Sequence, residues 1–231
     1  MFDLSPEEYS AMMLSLKVSS WSVLIILIPG IFTGWLLARR NFVGKSLLDG
    51  IIHLPLVLPP VVTGYLLLLL LGKQGAIGLW LDQTFGITFA FSWRGAVLAT
   101  ALMSFPLMVR SIRLSISAIE IKLEQAARSL GASTINTFFT ITLPLSLPGI
   151  ISGSILAFAR SLGEFGATIT FVGNIESETR TLPLAIYTYI QIPDGNEPAQ
   201  RLLIISVILA FGALLVSNLI ERRASYLLGT K

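Results

Sequence analysis

Long stretches of this chain carry no charge, and the charged residues mark where those stretches end. Residues 18 to 38 contain no Asp, Glu, Lys or Arg between Lys17 and Arg39, and residues 50 to 72 contain none between Asp49 and Lys73. An α-helix needs about 20 apolar residues to cross a bilayer, so each run predicts a membrane-spanning helix. The third run, Gly95 to Val109, is shorter. It spans if Arg94, Arg110 and Arg113 sit at its ends and extend toward the headgroups, which predicts a helix near 93 to 114. Uncharged residues continue from Ser129 to Ala159, but Gly131, Ser133, Thr134 and Asn136 are polar or helix-breaking. The fourth span is therefore predicted to begin only around Pro144 or Leu147. A fifth run covers Leu202 to Ile220, while Glu176, Glu178 and Arg180 cut residues 165 to 193 into pieces too short to span. That segment is predicted to be re-entrant or outward-facing, with short helices. The expected fold is all-α: one polytopic membrane domain over 1–231, with about five transmembrane helices.

Prolines interrupt these spans. Pro29, Pro55, Pro59, Pro60 and Pro106 all fall inside predicted helices, and each removes a helical hydrogen bond. Broken backbone at lipid depth is tolerated where it lines a cavity or is buried in protein, and Pro55 to Gly64 is the stretch that best fits a cavity. Gly30-xxx-Gly34 and Gly149-xxx-Gly153 permit close helix approach and are expected to be packing seams within the subunit.

Composition agrees with lipid as the solvent: 54% hydrophobic, 13% charged, mean hydropathy +0.79, against about 25% charged in ordinary soluble domains. There is no cysteine, so disulfides, thiol catalysis and cysteine-ligated metals are excluded. The net charge of +3 is informative only by side. With five spans, one side holds ten basic residues (Arg39, Arg40, Lys45, Arg110, Arg113, Lys122, Arg128, Arg222, Arg223, Lys231) against four acidic ones, and the other holds six against nine, running from Asp3 to Glu197. The basic excess predicts that the first side is cytoplasmic, with the N-terminus outside and the C-terminus inside. Asp3, Glu7 and Glu8 stand where a cleaved leader would be basic, so the first segment is expected to be a span and not a signal peptide.

The long cytoplasmic loop, about 115–144, carries Ile116, Ile119, Leu123, Ala126, Ala127 and Leu130 at helical spacing, with Glu120, Lys122, Glu124 and Arg128 mainly on other faces. This predicts a short amphipathic helix ended by Gly131 in a left-handed conformation, with Ser133 or Thr134 capping a second turn. Such a helix suits the membrane interface or a partner's groove. The run Glu124-Gln125-Ala126-Ala127-Arg128-Ser129-Leu130-Gly131, followed after nine residues by Ile141-Thr142-Leu143-Pro144, resembles the EAA loop of ABC importer permeases. It departs from that pattern where Gln125 replaces the usual Glu and the acid is displaced to Glu124. The resemblance implies that Glu124 to Gly131, with Ile141, Leu143 and Pro144, couple the chain to an ATP-binding subunit on the cytoplasmic side.

Two further runs, Leu54 to Gly64 and Ala157 to Thr168, are similar to permeases for molybdate and related oxyanions such as tungstate and sulfate. That resemblance implies a pair of permease subunits, an external oxyanion-binding protein and ATP with Mg on the partner ATPase. No cofactor is expected on this chain. A dianion in transit favours neutral donors over fixed positive charge, because it must also leave. Pro59, Pro60, Thr63, Gly64, Ser104, Arg160, Gly163, Glu164, Phe165, Gly166 and Thr168 are the pathway or gate candidates, with Thr170 a further hydroxyl. Arg160 and Glu164 are four apart and are expected to form an ion pair, and the Gly163 to Gly166 turn is the expected gate. His53 has no partner at metal-ligand spacing.

Other classes fit poorly. A membrane enzyme lacks its catalytic set, since there is one His and no H-E-x-x-H motif. A proton-coupled carrier would place ionisable residues at mid-span, and these spans are nearly empty of them. Gly72-Lys73 is followed by Gln74 and lacks the upstream glycine of a nucleotide-binding loop. The basic residues are scattered along membrane edges, so no nucleic-acid partner is expected. A non-transporting scaffold subunit remains open on physics alone.

Overall fold

A computed structural model describes residues 4–227, and the side chains of Ser217 and of 220–227 lie outside the description. Asp3, Lys231 and the side chains of Glu221, Arg222 and Arg223 are therefore outside the described residues. The described chain is all-helical. Four helices are long and apolar enough to cross a membrane, and a fifth crossing is made if one bent pair counts as a single span.

Helix α1, Pro6–Arg39, starts twelve residues before the first uncharged run. A capping box explains the early start: the Ser5 hydroxyl accepts from Glu8 N at 3.2 Å, Ser5 N donates to Glu8 Oε2 at 2.6 Å, and Pro6 opens the first turn. Its two glycines, as expected, form a seam inside the subunit. A Cβ at Gly30 would lie 2.9 Å from Met108 Sδ, and one at Gly34 would lie 2.8 Å from Ile112 Cγ2, both on α5, Trp93–Ala118. Gly149 and Gly153 of α8, Leu143–Leu162, press on the same helix through Ser115 and Ser111. Helix α5 is therefore the axis of the bundle, with Met108, Val109, Ile112 and Ile116 fully buried.

The run 50 to 72 is not one straight span. Helix α2, Lys45–Val57, and helix α3, Pro60–Leu71, meet at 112°. The residue before a proline is driven out of the helical region, and Leu58 obeys at φ −69°, ψ 142°. Pro59 is also extended, while Pro60 takes the first helical position, where its missing N–H costs nothing. A short helix α4, Ala76–Phe85, follows.

The loop helix α6, Ile121–Ser129, leads into a continuous helical stretch made of α7, Thr134–Thr137, a π-helical turn over Phe138–Thr142, and α8. This corrects the expected start of the fourth span near Pro144, since helix begins at Thr134. The polar residues do not break it because they serve it. The Ser133 hydroxyl accepts from Asn136 N at 3.2 Å, and the Thr137 and Thr140 hydroxyls bond back to Ser133 O and Asn136 O. The wide turn sits just ahead of Pro144, whose ring cannot follow an ordinary α-turn.

Residues 165 to 193 form the predicted short helices, α9, Gly166–Val172, and α10, Leu182–Tyr189. Helix α11, Asn196–Leu227, completes the described chain. The Arg201–Glu8 ion pair at 3.0 Å, on a fully buried Glu8, fastens its start to α1.

Candidate coupling and translocation sites

The apolar residues of the loop do not form one inward stripe. Ile116 ends inside α5 and Ile119 is its C-cap, both buried, so the chain breaks at Ile119–Glu120 before α6 begins. Within α6 the polarity is inverted relative to expectation. Leu123 and Leu130 are exposed, at 47% and 90%, whereas Glu124 is buried at 6%. Glu124 is held from two sides: Arg39 Nε donates to its Oε1 at 3.0 Å and Thr142 Oγ1 donates to the same oxygen at 2.9 Å. Arg39 Nη2 also donates to Ile119 O at 2.9 Å. The acid that resembles the displaced EAA glutamate therefore anchors α6 to α1 and to the base of α8, and does not face outward.

Gln125, Ala126, Arg128 and Gly131 are exposed and Ala127 is half-buried; Ile141 lies half-buried in the π-helical turn, and Leu143, half-buried, and Pro144, exposed, open α8. Gly131 has φ +93° and closes α6 as expected: its N donates to Arg128 O at 2.9 Å, and Ala132 N donates to Ala127 O at 3.0 Å. Ile121, Leu123 and Leu130 are the large apolar side chains left uncovered on this helix and its C-cap. The result is a helix anchored through Glu124 that leaves apolar residues and two cations, Lys122 and Arg128, exposed. Arg39 and Thr142 escaped the sequence reading. Arg39 lies 85 residues from Glu124, and no local pattern joins them.

The second candidate region is the break between α8 and α9 and its contact with α3. Pro60 meets Gly166, where a Cβ would lie 2.7 Å from the proline ring, and Gly64 lies against Ala167. The two helix breaks are thus packed on each other. Thr63, one residue before Gly64, is buried at 4% and its hydroxyl has no partner among the described residues. The other hydroxyl candidates differ. Ser104 donates to Thr100 O at 2.7 Å, Thr168 to Phe165 O at 2.8 Å, and Thr170 to Gly166 O at 2.8 Å. Each has committed its one proton to its own helix, leaving only lone pairs, which repel an oxyanion. Ser104 is joined by Ser161, whose hydroxyl donates to it at 3.3 Å, and Thr168 lies on the far side of the break. Only Thr63 retains an unspent donor among these four.

Arg160 and Glu164 pair as expected, Nη1 to Oε2 at 2.7 Å, with the Glu164 side chain 1% exposed. The other oxygen, Oε1, accepts from Ala167 N at 2.8 Å and so caps the first turn of α9. Glu164 thereby bridges the Gly163 turn from α8 to α9. Phe165 packs on Tyr187 of α10 with ring centroids 5.1 Å apart, while Gly163 is open. Arg160→Met leaves Glu164 buried without its cation, and a loss of about 3 kcal/mol is expected in thermal unfolding of the purified chain. Arg160→Met combined with Glu164→Gln should recover most of it, because a neutral amide still accepts from Ala167 N. Equal stability of the single variant and the native chain would show that the pair carries no load.

Comparison with known proteins places this geometry. Residues 30–226 match the family model described as binding-protein-dependent transport system inner membrane component. The chain is 64% identical over 219 residues to the molybdenum transport system permease protein ModB of Escherichia coli strain K12, covering 95% of this chain and 96% of that protein. It is 59% identical over 222 residues to the protein of that name from Haemophilus influenzae, covering 96% and 97%. Among solved structures, a bacterial alginate ABC transporter in complex with a pentasaccharide-bound periplasmic protein aligns with TM-score 0.75 at 18% identity, covering 96% of this chain and 83% of that one. The inward-facing MetNI methionine ABC transporter aligns with TM-score 0.72 at 16% identity, covering 96% and 99%. At these identities the structures establish the fold.

Proposed function

This chain belongs to the binding-protein-dependent transport system inner membrane components, and from that premise we propose that it is the permease subunit of an ATP-driven importer for molybdate and, by equal shape and charge, tungstate. The observation that carries the coupling half of this reading is α6: an exposed helix fixed to the membrane core by the buried Arg39–Glu124–Thr142 contact. The substrate half rests on the 64% identity to a molybdenum permease. Two copies enclose the pathway in the bacterial inner membrane, with the N-terminus outside and the C-terminus in the cytoplasm. An ATPase subunit, holding ATP and Mg, docks on α6, and an external oxyanion-binding protein delivers the dianion. The chain itself catalyses no hydrolysis.

The contacts supply a contiguous route between the two sites. A push on α6 passes through Glu124 to α1 and α8, from α8 through the Arg160–Glu164 bridge to α9, and from α9 across the Gly64–Ala167 seam to the bent α2–α3 pair. Rigid elements joined in this way can move a gate from a distance.

The test is ATP-dependent molybdate uptake in proteoliposomes holding this chain, its ATPase and an oxyanion-binding protein, with sulfate as competitor. Gly131→Asp is the informative variant. A Cβ there meets nothing within 4 Å, and the strain that φ +93° puts on any side chain falls on the exposed C-terminal end of α6 and not on the bundle, so the chain should fold, the more so as Asp tolerates a positive φ better than most residues. It also adds a negative charge at the C-terminal end of α6, where the helix dipole disfavours it, within the docking face. Uptake should fall at least tenfold. A chain that recruits no ATPase and moves no oxyanion would leave the scaffold reading.

A further inference from the structure

Between the cytoplasmic half of α1 and the start of the α7–α8 stretch lies a groove of about 460 Å³, walled chiefly by Ile28, Phe32, Trp35, Ile135, Phe138 and Phe139. Ile28, Phe32 and Trp35 occupy successive turns of α1 and run about 10 Å along it. The π-helical turn forms the opposite wall, with Phe138 edge-on to Trp35 at 5.8 Å and Phe139 edge-on to Phe138 at 5.2 Å. A cation stands beside the Trp35 wall of the groove. Arg40, the C-cap of α1, lies 5.6 Å over the Trp35 ring, is exposed, and has no carboxylate partner among the described residues, in contrast to Arg39, which is spent on Glu124.

An apolar slot at membrane depth that leads to a tryptophan and an unpaired guanidinium matches a lipid tail and its phosphate. We propose that this groove binds one acyl chain of an anionic phospholipid of the cytoplasmic leaflet, with Arg40 holding the phosphate. The site rests on the reading above that α1 and α8 cross the membrane with their Arg40 and Thr134 ends toward the cytoplasm. One wall is the segment that joins α6 to α8, so an occupied groove braces the base of the coupling helix.

The experiment is native mass spectrometry of the full-length purified chain with phosphatidylglycerol or phosphatidylcholine of identical acyl chains. Phosphatidylglycerol should be retained about fivefold more strongly, the equivalent of about 1 kcal/mol for one basic residue at the membrane surface. Arg40→Gln should remove that preference. Ile135→Trp, at an exposed groove position, should lower retention of both lipids. Equal retention by the native chain and both variants overturns the site, as does displacement of the lipid by millimolar inorganic phosphate, which would indicate a free-anion site. A photo-crosslinking residue at position 135 should capture phospholipid in the membrane, and capture of a second copy instead would also overturn it. No substrate is present in these measurements, so a failed lipid readout leaves molybdate uptake standing, and failed uptake leaves lipid retention to be read.

Discussion

Gly64→Val is expected to lower the thermal midpoint of the purified chain sharply and to abolish uptake, whereas Gly50→Ala should leave both unchanged or slightly raise stability. A Cβ at Gly64 would stand 2.5 Å from Ala167 O and 2.9 Å from Ala167 Cα. These are backbone atoms of α9 and cannot rotate away, so α3 and α9 must separate. Separation also opens the Pro60–Gly166 contact and uncovers the unpartnered Thr63 hydroxyl. Overpacking against a flexible side chain costs about 1–3 kcal/mol, and contact with backbone puts this case at about 3 kcal/mol or more. Gly50 lies on an exposed turn of α2 with nothing within 4 Å of its Cβ, and replacing a mid-helix glycine by alanine there gains roughly 0.5–1 kcal/mol. Thermal unfolding and size-exclusion profiles of the two variants measure the difference. A Gly64→Val chain as stable as the native one would mean that the two helix breaks are not packed as described.

That seam illustrates what the sequence makes legible. The break itself is local: Leu58 precedes a proline and Pro60 suits a first helical turn, so Pro59–Pro60 announces a discontinuity. The 112° angle is not local, since it is set by α9, about one hundred residues on, pressing against Gly64. Gly131 was readable for the same reason as the prolines, because a left-handed residue closing an amphipathic helix is a short-range requirement. The start of the fourth span is misread because Ser133, Thr134 and Asn136 look polar one by one, while Ser133 caps the helix by accepting from Asn136 N and the Thr137 and Thr140 hydroxyls that follow donate back to Ser133 O and Asn136 O. Among the pathway candidates, residue type alone could not separate Thr63 from Ser104, Thr168 and Thr170. What separates them is which hydroxyl has already spent its proton, and that is decided by rotamers.

Glu124 shows the largest gap between pattern and structure, and it carries the largest functional expectation. Periodicity puts Leu123, Ala126 and Leu130 on the side that a soluble helix would bury, yet these residues face outward and the acid faces in. The reversal is stable because Arg39 and Thr142 meet Glu124 in the interior, with the Arg39 and Glu124 side chains 10% and 8% exposed. Removing one member of such a pair strands the other charge, at a cost of about 3–5 kcal/mol. Because α6 is short and otherwise solvent-facing, that cost is relieved by releasing α6 and leaves the bundle folded. Glu124→Ala is therefore expected to keep a near-native thermal midpoint while molybdate uptake falls by tenfold or more and ATP hydrolysis by the assembled importer no longer responds to the loaded binding protein. Arg39→Met together with Glu124→Leu replaces the pair by apolar groups of similar volume, a change often neutral or stabilising. Thr142 can then return its proton to its own helix. If Glu124 acts as a mechanical anchor, this double variant regains much of the uptake; if its charge contacts the ATPase, the double variant stays as inactive as Glu124→Ala. Native-like uptake by Glu124→Ala itself would show that the coupling helix transmits force without this anchor.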